Sequence, residues 1–143
     1  MSYPNAMQSY QQIQSDSARD ASPHQLIMKL FDGLLQRLAS ARGHIERREI
    51  AAKGQSLGRA ISIIGGLRGS IDHSAGAEIA ANLDNLYEYC ERRLFDANLK
   101  NDTVAIDEVI GLIKDIRSAW HEIPAGQRLQ PEATSAAAVS VAR

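Results

Sequence analysis

"SPHQLIMKLFDGLLQRLASARGHIERR", residues 22–48, decides the fold. Leu26, Ile27, Leu30, Phe31, Leu34, Leu38, Ala41 and Ile45 recur at intervals of three and four, while Lys29, Asp32, Gln36 and Ser40 hold the opposite side. That is the pattern of a helix with one face in a core and one in water. Ser22-Pro23 marks its start. A serine hydroxyl accepts from the orphan amides of the first turn, and a proline at the first helical position gives up no hydrogen bond. Such a helix cannot bury its stripe alone, so the rest of the chain must supply partners for it.

Working outward, the same period returns three times. Residues 50–71 carry Leu57, Ala60, Ile61, Ile64, Leu67 and Ile71 on one stripe, and "DHSAGA" (72–77) breaks it. Residues 78–99 carry Ile79, Leu83, Leu86, Cys90, Leu94 and Ala97, before "KNDT" (100–103) interrupts, with Asp102 as a cap. A fourth helix is predicted over residues 103–123, ended by Pro124. Four helices of roughly 20 to 25 residues are each about 30 to 37 Å long at about 1.5 Å per residue. Matched lengths and short connections predict an all-α fold, an antiparallel up-down four-helix bundle.

The flanks read differently. Residues 124–143 are small and polar without a stripe and are expected to form a disordered tail. Residues 1–21 form a polar N-terminal arm in which Ala6, Tyr10 and Ile13 stand one helical turn apart, so all three share a side of a short helix. Such a helix is too short to survive alone, so the arm is either a disordered terminus with incidental spacing or a lid resting on the bundle of residues 22–123.

With 143 residues the chain has room for one modest domain. Its formal charge of -1 gives no electrostatic footprint for nucleic acid or an anionic membrane. Cys90 stands alone, so neither an intramolecular disulfide nor a multi-cysteine zinc site is available. The first twenty residues lack the cationic end and apolar run of a signal peptide, and no uninterrupted apolar run is long enough to cross a bilayer, which predicts a cytoplasmic protein.

The inventory of reactive groups argues against an enzyme. Cys90 lies on the inward stripe of the third helix with no histidine beside it by spacing, and reads as a small buried hydrophobe. His24, His44, His73 and His121 are scattered, without a metal-binding spacing, and read as surface histidines. Asp84, Glu88 and Glu91 share one face and read as a solvated acidic strip, with Arg92 pairing Glu88 at i+4. No strand precedes a glycine-rich segment. No cofactor, no metal and no catalytic residue is expected.

Apolar surface, by contrast, is in surplus. The fourth helix spreads Ile106, Val109, Ile110, Leu112, Ile113, Ile116, Ala119, Trp120 and Ile123 over about half its circumference. Either this corner helix packs two neighbours at once, or one shoulder, Ile106 and Ile110, stays partly open as a groove wall for an amphipathic segment, and the two readings are compatible. On the second helix Gly58, Ser62, Gly65, Gly66 and Gly69 gather away from the stripe, although mid-helix glycine costs about 1 kcal/mol relative to alanine. That side is either loosely held and solvent-facing or a surface where another backbone comes close.

At this point the chain resembles the flagellin-specific export chaperone family, FliS. The resemblance runs over residues 6–123 and rests on "SPHQLIMKLFDG" (22–33), "EIAANLDNLYEY" (78–89), "LFDANLKND" (94–102), "EVIGL" (108–112) and "AW" (119–120) in this order. It implies a helical bundle without catalytic activity that binds the disordered C-terminal segment of newly made flagellin in the cytoplasm. It also implies that the bundle prevents premature polymerisation and delivers the subunit to the flagellar type III export gate. In that family the arm contributes a tyrosine, which Tyr10 matches, and can cover the empty site. Ile63, Ile64, Leu67, Leu86, Tyr87, Ile106 and Ile110 are the expected groove residues, with Ala6, Tyr10 and Ile13 on the lid. Gly65, Gly66 and Gly69 depart from the family pattern, as does Cys90, where methionine is common.

The rival reading is a histidine-phosphotransfer signalling bundle. It needs an exposed mid-helix histidine beside a small residue and a cation, and His44 with Gly43 and Arg47 is the only approximation, too near a helix end.

Overall fold

The computed structural model describes residues 22–122. They form four helices, α1 (Pro23–Glu46), α2 (Ile50–Gly69), α3 (Ala77–Lys100) and α4 (Thr103–His121), with a single 3-10 turn, His73–Ala75, between α2 and α3. Packing runs α1 on α2, α2 on α3, α3 on α4 and α4 back on α1, the closed circuit of an up-down bundle. The predicted arm and tail lie outside the described residues.

The ends follow from local chemistry. Ser22 caps α1 in a reciprocal box, its hydroxyl accepting from the Gln25 N–H while the Gln25 side chain accepts from the Ser22 N–H. The helix stops at Glu46, two residues short of the expected end, because Arg48 turns to a φ of 59° and starts the reversal into α2. Likewise α2 ends at Gly69 rather than Ile71, whose side chain is buried just past the helix. Asp102 caps α4 as expected, accepting from the N–H groups of Val104 and Ala105. Asn101, in the left-handed region, makes the tight α3–α4 reversal.

The core is one cluster to which every helix contributes: Phe31, Leu34 and Leu38 from α1, Leu57, Ile63, Ile64 and Leu67 from α2, Cys90 and Leu94 from α3, and Ile106, Val109 and Ile113 from α4. Burial pushes the Cys90 thiol up to about 12, so the sulfur sits there as a protonated small hydrophobe.

Polar clamps fix the register of three of the four seams. Arg42 reaches Asp107 and Arg117 reaches Asp32, tying α1 to α4. Glu108 accepts from Arg93 and from the Tyr89 hydroxyl, tying α4 to α3. Between α2 and α3, Lys53 is buried and donates to the Asn98 carbonyl at 2.9 Å and to Asn101 Oδ1 at 2.6 Å. The ammonium thus serves as the C-terminal cap of α3, where a cation also complements the helix dipole.

His24 corrects the expectation of a surface histidine. It is 4% exposed, its ring stacks on Trp120 with centroids 5.4 Å apart, and its Nε2 lies 2.9 Å from the Trp120 carbonyl. Trp120 Nε1 donates in return to the His24 carbonyl. This reciprocal clasp joins the first turn of α1 to the last turn of α4, a pairing 96 residues apart in sequence that no local spacing announces.

Candidate functional site

A bundle whose seams are filled should show few large apolar side chains to water. Four stand out among the described residues: Ile50 at 59% exposure, Phe95 at 61%, Leu99 at 79% and Val104 at 71%. All four lie at one end of the molecule. Lys53 binds the first turn of α2 to the last turn of α3, and α4 begins three residues after α3 ends. The opposite end is the His24–Trp120 clasp.

Helical spacing places Phe95 and Leu99 more closely. Glu91 of α3 reaches Arg68 of α2 at 2.6 Å, and Phe95 stands one turn beyond Glu91 on the same flank, with Leu99 one turn further. Both therefore border the α2–α3 seam rather than point into the core. On α2 the surface level with them is bare: a Cβ added at Gly54 or Gly58 would meet no atom within 4 Å. The surface is thus a row of apolar anchors beside a helix face that carries almost no side chains. Its chemistry is that of a helix-accepting surface.

Asp84, Glu88 and Glu91 are a correction. The expected solvated strip is the counter-charge of Arg68, which donates to Asp84 at 2.8 and 3.1 Å and to Glu91 at 2.6 Å, with Glu88 at 4.0 Å. Arg92 still pairs Glu88, at 3.8 Å. The Arg68 guanidinium holds the Asp84 carboxyl below the usual carboxylate range. A carboxyl whose folded-state pKa is depressed contributes stability that is present above its unfolded pKa, about 3.9, and lost as pH falls through the folded value. Urea unfolding is accordingly expected to show constant stability from neutral pH to about pH 5 and a fall below about pH 4. Arg68→Gln should flatten that acid limb, and an unchanged limb would remove the α2–α3 clamp as its cause. Asp107, held down by Arg42, and Glu108, held down by Tyr89 and then Arg93, add to the same limb.

Of the residues expected to line a groove, Ile63, Ile64, Leu67, Tyr87 and Ile106 are core, because the helix–helix seams themselves consume them. The shoulder of α4 expected to stay open is therefore closed at Ile106. Leu86 and Ile110 are partly buried and reach the surface. Ala6, Tyr10 and Ile13 lie outside the described residues. Ile50, Phe95, Leu99 and Val104 were missed by the stripe-based reading. The signal for two of them was present: Phe95 and Leu99 are large apolar residues four apart on the polar side of the third helix, where core packing has no use for them.

His44 sits in the last turn of α1 with Nδ1 2.7 Å from Glu49 Oε1, so the structure gives the phosphotransfer reading no free mid-helix histidine there. Among the described residues, no three His, Cys, Asp or Glu side chains are grouped to hold a metal ion, and no helix is long and apolar enough to cross a membrane.

Comparison with known proteins adds to this geometry. A family model described as flagellar protein FliS matches residues 6–127. The chain is 50% identical over 119 residues to flagellar secretion chaperone FliSB of Pseudomonas aeruginosa, covering 82% of this chain and 94% of that protein. It is 47% identical over 121 residues to flagellar secretion chaperone FliS of Salmonella typhimurium, covering 83% and 90%. To flagellar secretion chaperone FliS of Vibrio cholerae it is 38% identical over 120 residues, covering 83% and 88%.

Proposed function

Since the chain belongs to the FliS family of flagellar secretion chaperones, we propose that it captures the disordered C-terminal segment of flagellin in the cytoplasm, prevents premature polymerisation and hands the subunit to a component of the flagellar type III export gate. It does so by binding alone, with no catalytic step, cofactor, nucleic acid or membrane insertion. The observation that carries this reading is the exposed apolar set Ile50, Phe95, Leu99 and Val104. Exposed apolar surface of this kind marks a site of interaction with another chain.

The physics is coupled folding and binding. A disordered segment loses conformational entropy when it becomes helical, and burial of its apolar residues against the anchors offsets that loss. Leu86 and Ile110 are partly exposed on other flanks of α3 and α4, and the buried Ile63, Ile64, Leu67, Tyr87 and Ile106 hold the helices in register. Ala6, Tyr10 and Ile13 of the arm cover the surface in the absence of client, Tyr10 burying its ring while its hydroxyl stays hydrated.

Calorimetry of the full chain with a flagellin C-terminal peptide tests the proposal. One peptide is expected to bind per chain, with a negative heat-capacity change and a gain of helical circular dichroism. Absence of any heat-capacity change would rule out apolar capture.

A further inference from the structure

The α1–α2 seam is built unlike the other three. Cross-helix ion pairs join α1 to α4, α4 to α3 and α2 to α3, whereas among the described residues those between α1 and α2 are confined to the turn, where His44 and Arg47 meet Glu49. Helix α2 contains no Asp or Glu at all. The two acids of α1, Asp32 and Glu46, are taken by Arg117 and Arg42 on the flank that faces α4. Two arginines stand on the seam with no ion pair among the described residues: Arg37 of α1 and Arg59 of α2.

Their register can be read from Gly33, where an added Cβ would lie 3.9 Å from Ile63 Cδ1. Antiparallel helices advance equally per residue in opposite directions, so one turn further along α1 and one turn back along α2 Arg37 and Arg59 are level across the seam. Both side chains are partly buried. Arg59 Nε is fully shielded from solvent and has no acceptor. Two like charges level with each other, one with an unmet buried donor, are an unfavourable arrangement that a carboxylate placed between them would correct, since a guanidinium fork and a carboxylate match in geometry and charge. Two turns from Arg59 along α2 the surface is bare, since nothing lies within 4 Å of a Cβ added at Gly66.

We propose that Arg37 and Arg59 together receive a carboxylate side chain of the captured client segment, fixing its register where the apolar anchors cannot. This rests on the capture reading above. Apolar contact tolerates sliding, whereas a paired carboxylate does not, so the two parts of the surface divide affinity from alignment.

The test uses the full chain and a flagellin C-terminal peptide, followed by calorimetry across a series of salt concentrations. Arg37→Gln with Arg59→Gln is expected to weaken binding by about tenfold, the loss of one charge-assisted contact. It should also flatten the salt dependence while leaving the thermal midpoint unchanged or raised. Converting the peptide's acids one at a time to amides should reproduce that loss at one position in the wild-type chain, with no further loss in the double variant. Equal affinity and equal salt dependence of variant and wild type would overturn the inference while leaving capture intact. So would a loss that disappears when residues 1–21 are deleted, which would make the arm the occupant. No binding of the peptide by the wild-type chain would overturn capture and this inference together.

Discussion

Leu34→Ala is expected to destabilise the protein by about 3–4 kcal/mol. Leu34 is completely buried in the cluster to which all four helices contribute. Removing three heavy atoms there forfeits their transfer free energy and leaves a cavity that neighbouring rigid helices only partly close. Against a total stability of about 5–15 kcal/mol for a domain of this kind, that is a large share. A thermal midpoint lower by about 15 °C should accompany it, since about 1 kcal/mol moves the midpoint of a domain near 100 residues by about 4–8 °C. Leu35→Ala, next in sequence and only partly buried, is the control and should cost well under half as much. Equal losses at both positions in urea unfolding would mean that the core is not organised around the face that the period of three and four defines.

Phe95→Asp combined with Leu99→Asp is expected to weaken capture of a flagellin C-terminal peptide by at least about 100-fold, with little change in stability. The two side chains are 61% and 79% exposed in the free chain, so folding gains little from them and binding can still gain most of their burial. Fully burying one such side chain is worth about 1.5–3 kcal/mol, so losing both removes about 3 kcal/mol or more. Placing a carboxylate against an apolar stripe adds a desolvation cost. Surface changes usually alter stability by about 0.5 kcal/mol, to which a carboxylate near the C-terminal end of α3 adds about 0.3–1 kcal/mol, still small beside the expected loss of binding. The discriminating measurement is the pair of numbers together. A variant that binds the peptide normally would move the client surface away from the end formed by the α3–α4 turn, and a variant that fails to fold would show that these residues are packed after all.

The bundle was legible before any coordinates because α-helical chemistry is local. Ser22 and Asp102 as caps, the stripes at three and four residues and the breaks at "DHSAGA" and "KNDT" all act within a few residues of one another. Boundaries slipped by two residues at Glu46 and Gly69 because helix ends depend on single backbone angles, such as the φ of 59° at Arg48. The flank of α2 rich in glycine was likewise visible in the sequence, and it is open in the fold.

The surface was harder to read, for a reason that concerns packing. A stripe says which residues face inward, and it cannot say how much of that face a neighbour will consume. Ile63, Ile64, Leu67, Tyr87 and Ile106 lie on inward faces and are spent on the seams, whereas Phe95 and Leu99, on the polar face, are the apolar groups left over. Sequence by itself determined the helices, their order and the mostly apolar core, since each follows from contacts and periodicities between near neighbours along the chain. Only the tertiary structure decided that His24 meets Trp120, that Arg68 collects Asp84 and Glu91, that Arg37 stands level with Arg59, and which apolar side chains remain in water. Those pairings join residues tens of positions apart, and their geometry exists only once the register between helices is fixed.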